Sequence, residues 1–289
     1  MAKNLNTENN YTLKKSSKVV KVVVYILLAI WTVVNLFPIY WMFTFSLKDN
    51  SEIFGANVAG LPTKWLWSNY AAAWNTGDMP RFFVNSIIVT VATILITLIA
   101  SVMATYAITR IVWKGAKFTN SFFMLGLTIP VHSALVPIYK VLISMKLTNS
   151  FAALILPYSA FSLAMGILIC TGFMAEIPKD IDEAAYIDGC TRWGIFFKII
   201  VPLMKPAVAT VSIYTFLQSW NEFMFASIFN TQSKYMTIPA GVQQLFGSYT
   251  TDWGPIGAAL SIATFPTIVA YIFLNRKIQD SFIAGAVKG

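Results

Sequence analysis

Histidine occurs once and cysteine twice in 289 residues, and only 11% of the side chains are charged. A lone His132 leaves no second histidine for a metal or acid–base pair. The strings GxSxG, HExxH and GxxxxGK[ST] are absent, so the signatures of a serine hydrolase, a zinc protease and a P-loop ATPase are all missing. Cys170 and Cys190 fit neither a zinc spacing nor a disulfide framework. Acids are scarcer than bases, 12 against 21, for a net charge of +9. In a soluble chain that excess would point to nucleic acid. In a chain that is 57% hydrophobic, with mean hydropathy +0.65, it is better explained by basic residues bordering membrane spans.

What the sequence does have is long apolar runs. They cover about residues 19–47, 83–108, 118–143, 151–174, 207–229 and 256–274. About 20 residues suffice to cross a bilayer as a helix, so an all-α membrane protein with six transmembrane helices is expected. The run at 19–47 is too long for a secretory leader and carries Trp41, Phe43 and Phe45 where small residues would mark cleavage, so it is read as retained. Before it, residues 1–18 form a polar tail, and 48–82 an extracytoplasmic loop. Trp65, Trp67, Tyr70 and Trp74 in that loop suit a membrane interface or a neighbouring subunit. The core domain spans 83–276, with a charged loop at 176–206, and 277–289 is a C-terminal tail.

Inside the spans, Thr90, Thr93, Thr97, Ala100 and Ala104 make a small or hydroxylated stripe that should face protein, with pore lining as the other reading. Pro130 and Pro137 each predict a kink, and His132 between them is expected to hydrogen-bond a backbone carbonyl. The fifth span is the most polar. Its Tyr214, Gln218, Asn221 and Glu222 are candidates for a substrate pathway, because a carboxylate at membrane depth must face protein or water. Glu222 could equally fix a helix end. Gln243, Gln244, Tyr249 and Trp253, in the loop at 231–255, offer amides and aromatic faces to a sugar or a binding protein.

Six spans put both termini on one side, and 15 of the 21 bases fall on that side. Lys48, Lys64, Arg81, Lys140, Lys146 and Lys234 fall on the other. The excess of positive charge places both termini and the loop at 176–206 in the cytoplasm.

That loop reads as two short helices. Asp180 with Glu183 predicts a capping box after Pro178, Gly189 closes the first helix, and Thr191 caps the second. Glu183, Ala184, Ala185, Gly189, Ile199 and Pro202 fall at the spacings of the EAA loop, which the segment resembles; Val201 stands in place of a Leu. The EAA loop belongs to permeases of ABC importers. Residues 219–223 (Ser-Trp-Asn-Glu-Phe), 237–239 (Thr-Ile-Pro) and the terminal 284–289 narrow the resemblance to maltose-type, carbohydrate-importing permeases, in the subunit whose C-terminal tail contacts the ATPases.

The resemblance implies a type I ABC importer transmembrane domain and a permease that is not itself an enzyme. Its partners would be a homologous permease subunit, two ATP-binding subunits and an extracytoplasmic solute-binding protein, in a prokaryotic cytoplasmic membrane. ATP and magnesium would sit on the partner ATPase, with no cofactor in this chain. Glu183, Ala184, Ala185, Asp188, Gly189, Ile199 and Pro202 would couple to the ATPase, and the cargo would be an oligosaccharide. An ion-coupled secondary transporter is the alternative. It would want charges in several spans, whereas Glu222 is the one acid well inside a span.

Overall fold

The computed structural model describes residues 18–246 and 251–286, which are helical with connecting turns. Four helices are long and apolar enough to cross a membrane, and six spans result if each of two bent helix pairs counts as one. Residues 1–17 of the expected tail at 1–18, Tyr249 and the last three residues lie outside the described residues.

Helix α1 (Lys18–Phe45) is apolar around its whole circumference, and its apolar stretch buries nothing against the rest of the chain. It meets the body only at its end, where Thr44, Ser46, Leu47 and Lys48 are buried. The Lys48 ammonium, fully buried, donates to the carbonyls of Asn57 (2.6 Å) and Val58 (3.2 Å). The loop that follows is ordered rather than loose. Asp49 accepts from the Glu52 N–H and caps α2 (Asn50–Ile53). Asn69, in α3 (Ser68–Asn75), donates to the carbonyls of Ser46 and Lys48. Of the four aromatics, Trp65, Trp67 and Trp74 are exposed, while the Tyr70 hydroxyl is bonded to that of Ser46.

The scaffold is the parallel contact of α4 (Met79–Thr109) with α7 (Ala152–Glu176), whose C-terminal ends meet at Arg110, joined by α11 (Lys205–Asn221). Thr90, Thr93, Thr97, Ser101 and Thr105 on α4 are all buried, and a Cβ on Gly166 of α7 would lie only 3.0 Å from that of Ser101. The stripe is therefore helix packing: small residues let the backbones close. It follows the 3.6-residue period onto Ser101 and Thr105, leaving Ala100 and Ala104 half-buried beside it.

Between α4 and α7 the third span is broken. Helix α5 (Ala116–Gly126) turns through 92° into a 3-10 turn at Val131–Ala134 and α6 (Leu135–Ser144). Pro130 sits at the bend. Pro137 does not kink the chain, because it lies in the first turn of α6, where its missing N–H has no helical partner to lose. His132 meets the Phe225 ring edge-on at 5.8 Å, the contact it makes in place of the expected carbonyl.

After α7 come α8 (Asp180–Ile187), α9 (Arg192–Ile195), a π turn over Phe196–Ile200 and α10 (Val201–Leu203), with a 71° bend into α11. The fifth span does not run unbroken to residue 229 as expected. Glu222 is extended and separates α11 from α12 (Met224–Phe229). Helix α13 (Ile238–Val242), carrying Ile238 and Pro239, is not a free outer loop either. It is buried against α4, its Ile238 N–H held by the Ser86 hydroxyl at 2.8 Å. Finally α14 (Trp253–Ala286) runs well past the expected end of the sixth span.

Two apolar cores result. One gathers Phe82, Leu154, Trp220, Phe225, Phe229, Ile238 and Ile256, and the other gathers Cys170, Met174, Ala185, Phe196, Ile200 and Met204 beneath α8 and α9.

Candidate functional site: a coupling surface and a cavity

The α8–α9 element begins where α7 ends. Ile177, before Pro178, is extended, as a residue preceding proline must be. Lys179 is already helical and makes no side-chain cap, so the Asp180–Glu183 capping box does not form. Asp180 is instead the first residue of α8, and with Asp182 and Glu183 it puts three carboxylates in the first turn, where the helix dipole favours them.

The other end is built as expected. Gly189 has φ +80°, its N–H bonds the Tyr186 carbonyl (3.1 Å), and Cys190 bonds that of Ala185 (3.0 Å), a complete Schellman closure. Thr191 is extended and accepts from Gly194 at 3.1 Å, capping α9.

This framing sorts the side chains by face. Glu183, Ala184, Asp188 and Gly189 are exposed, whereas Ala185 is 7% exposed and packs into the inner core. Ala185 is thus a packing residue and not part of the outward surface. Ile187, which sequence reasoning passed over, is 85% exposed and one turn from Glu183 and Ala184, so it shares their face. The signal available was helical spacing: an isoleucine in phase with the charged side of an amphipathic helix. The wide π turn swings Phe196 and Ile200 inward and leaves Trp193 and Phe197 stacked in the open at 5.9 Å. Pro202 is exposed and Ile199 half-buried nearby.

The second feature is a cavity of about 440 Å³ between the bend at Pro130, α7 and the end of α11. Tyr214, Gln218 and Glu222 all line it, together with His132, Ser219 and the rings of Phe161 and Phe225. Asn221 does not: it points into a separate depression beside Pro239 and Thr264, its amide bonded to the Leu217 carbonyl. Gln218 donates to the Tyr214 hydroxyl at 3.1 Å. The Ser219 hydroxyl is buried without a partner.

Glu222 is fully engaged. Tyr158 donates to its Oε2 (2.5 Å), and the backbone N–H groups of Phe225 (2.9 Å) and Ala226 (3.1 Å) donate to its two oxygens. It therefore caps α12 and ties α11 to α7, the helix-end role that its position allowed.

The outer candidates divide similarly. Gln243 and Gln244 are exposed. Trp253 is locked between Phe54 and Phe246, its backbone N–H bonded to Asn50. Among the described residues no group of three or more His, Cys, Asp or Glu side chains is placed to hold a metal.

Residues 7–282 match the family model described as "Binding-protein-dependent transport system inner membrane component". The chain is 36% identical to the "Probable ABC transporter permease protein YurM" of Bacillus subtilis, covering 92% of this chain and 88% of that one. It is 34% identical to the "Sulfoquinovosyl glycerol transport system permease protein SmoH" of Agrobacterium fabrum, covering 92% and 93%. In fold it is similar to a chain of a bacterial ABC transporter involved in the import of the acidic polysaccharide alginate, at 19% identity and TM-score 0.80, covering 90% and 98%.

Proposed function

The chain belongs to the family of binding-protein-dependent transport system inner membrane components, and on that premise we propose that α8 and α9 form the surface through which separate ATPase subunits drive it. It is a multi-pass cell-membrane permease of an ABC importer for carbohydrate. The observation that carries the coupling role is the sorting of α8 into two faces. Glu183, Ala184, Ile187 and Asp188 stand out from the body, while Ala185 roots the helix in the inner core.

In this reading the permease pairs with a homologous subunit, and ATP-driven closure of two ATPase subunits carries the paired coupling elements together. Because α8 is anchored at the ends of the packed helices, its displacement rocks them about the cavity and alternates the side that is open. A solute-binding protein would deliver the sugar, an oligosaccharide, from outside. The cavity suits such a cargo, with aromatic faces for sugar rings and the free valences of Gln218, Tyr214 and Ser219 for hydroxyls. The ion-coupled alternative loses its carrier, since Glu222 already accepts from three donors.

The test is reconstitution of this chain with its cognate permease, ATPases and binding protein in proteoliposomes, offered a panel of labelled neutral oligosaccharides with and without ATP. Uptake of at least one sugar is expected only with ATP and the binding protein. Uptake that follows an ion gradient without ATP would overturn the reading.

A further inference from the structure

We propose that Arg110 is a positioning residue that makes the coupling element and the two central helices α4 and α7 move as one body. This rests on the reading of α8 and α9 as the ATPase-driven surface. Arg110 stands where α4 ends, and its side chain is 4% exposed. Its Nη1 donates to Oδ2 of Asp182, in the first turn of α8, at 3.0 Å. Its Nη2 donates to the carbonyls of Met174 (2.9 Å) and Ile177 (2.5 Å), at the C-terminus of α7. Backbone acceptors there run out of helical partners and carry the negative end of the dipole, so a cation is favoured. One guanidinium thus joins the end of α4 to two elements, α7 and α8, that lie 64 to 72 residues further along the chain.

The chemistry calls for arginine. A planar fork reaches a carboxylate and two carbonyls at once, whereas a lysine offers a single point of charge. On the other side of the pair, Asp182 Oδ1 is buried without a partner, so among the described residues Arg110 is the one donor to this carboxylate. The guanidinium is the buried member of the pair and the carboxylate is partly exposed, so separating the two leaves the Arg110 charge uncompensated. Besides this pair, α8 is held by Ala185 in the inner core, by Pro178 and Lys179, which link it to Ile177, and by the turn at residues 188–191 that joins it to α9. Helix α8 therefore presents Glu183 and Ile187 outward and Asp182 and Ala185 inward. A push on the outer face reaches the end of α4 through the Arg110 bond, beside the inner core that Ala185 shares with Val102 of α4, and not through the covalent chain.

The experiment uses the assembled transporter in proteoliposomes, with ATPase retention and uptake per ATP hydrolysed as separate readouts, for whichever panel sugar the native complex imports. Asp182→Ala is expected to keep the ATPase bound and to lower sugar moved per ATP roughly ten-fold. In a Cys170→Ala/Cys190→Ala background, Arg110→Cys/Asp182→Cys should show the same loss. Bridging the two thiols with a short bifunctional reagent after assembly should restore the ratio to within about two-fold. A residue needed only for folding would not respond to a reagent added afterwards. If Asp182→Ala does not assemble, the bridged cysteine pair gives the same comparison. A native ratio in Asp182→Ala, or no recovery on bridging, overturns the proposal. Glu183→Lys tests the docking reading separately: if the ATPase stays bound to that variant, the docking reading fails, whatever the result at Asp182.

Discussion

The Tyr158 hydroxyl on α7 and the Glu222 carboxylate at the break after α11 lie 2.5 Å apart, although 64 residues separate them in the chain. The contact fixes where the fifth span stops. Glu222 takes the N–H groups of Phe225 and Ala226, so α12 starts afresh at an angle set by the carboxylate and not by continuation of α11. Glu222→Ala strips an acceptor from three donors and is expected to cost about 2–4 kcal/mol, whereas Tyr158→Phe removes one bond and should cost about 1–2 kcal/mol. Thermal unfolding of the detergent-solubilised variants measures both. The double variant should cost less than the sum, since the two singles remove a shared bond.

Gly189 permits the Schellman closure of α8 because its φ is +80°, yet nothing lies within 4 Å of where a Cβ would stand. A substitution there meets backbone strain without a clash. Gly189→Ala should therefore cost only about 1–2 kcal/mol and leave transport largely intact. Gly189→Asp adds another carboxylate beside Asp188 on an already acidic, exposed surface. It is expected to abolish ATP-driven uptake while the protein still inserts in the membrane. Membrane fractionation beside uptake in the reconstituted system reads the two effects separately.

The contact between α4 and α7 admits almost no added volume. With 3.0 Å between a Cβ on Gly166 and that of Ser101, Gly166→Val should destabilise by about 1–3 kcal/mol through overpacking. Adding Ser101→Gly should recover part of that loss, because it removes the atom that is struck. The readout is the unfolding midpoint of the single and double variants, and a double variant no more stable than Gly166→Val would refute the direct contact.

Outside the membrane, Glu52 organises the first loop. Burial raises its pKa, but the bonds it accepts from the Thr63 N–H, the Asn57 amide and the Thr63 hydroxyl outweigh burial, and the net result is a carboxyl held below its usual 4.5. A depressed carboxylate pKa contributes stability above the unfolded value that is lost as the pH falls through the folded one. The loop should thus become sensitive to an acid-active protease below about pH 4.5. Glu52→Gln should be sensitive at neutral pH as well and show a weaker dependence on acidity.

How much of this was legible in the residues depends on whether local chemistry or tertiary contact decides. Gly189 and Thr191 announce their roles because a left-handed C-cap and a hydroxyl N-cap are local demands. The Pro130 bend was readable for the same reason, and Pro137 misled because proline is harmless in a first turn. The Asp180 cap failed by one residue, since Lys179 had already entered the helix. What could not be read was set across the fold: Arg110 reaching α8, Asn221 turning from the cavity that Gln218 and Ser219 line, and Ile238 docking on Ser86. Each depends on the rotation of a helix about its axis, and packing partners distant in sequence fix that rotation.

That rotation gives the sharpest test of the cavity. Ser219 and Asn221 are two residues apart on α11, so in a helix they face nearly opposite ways. Ser219 lines the 440 Å³ cavity with a buried, unpartnered hydroxyl, while Asn221 faces the depression beside Pro239 and is bonded to its own helix. If cargo passes through the cavity, Ser219→Leu fills it and removes a polar valence. Uptake should fall about ten-fold or more, equivalent to roughly 1.4 kcal/mol, while ATP hydrolysis stimulated by the binding protein persists. Asn221→Leu, similar in bulk on the other face, should leave uptake within about two-fold of native, because an exposed side chain away from the path alters little. Equal losses from both variants would mean that the substrate does not distinguish the faces, and the pathway would have to lie elsewhere than between Pro130, α7 and α11.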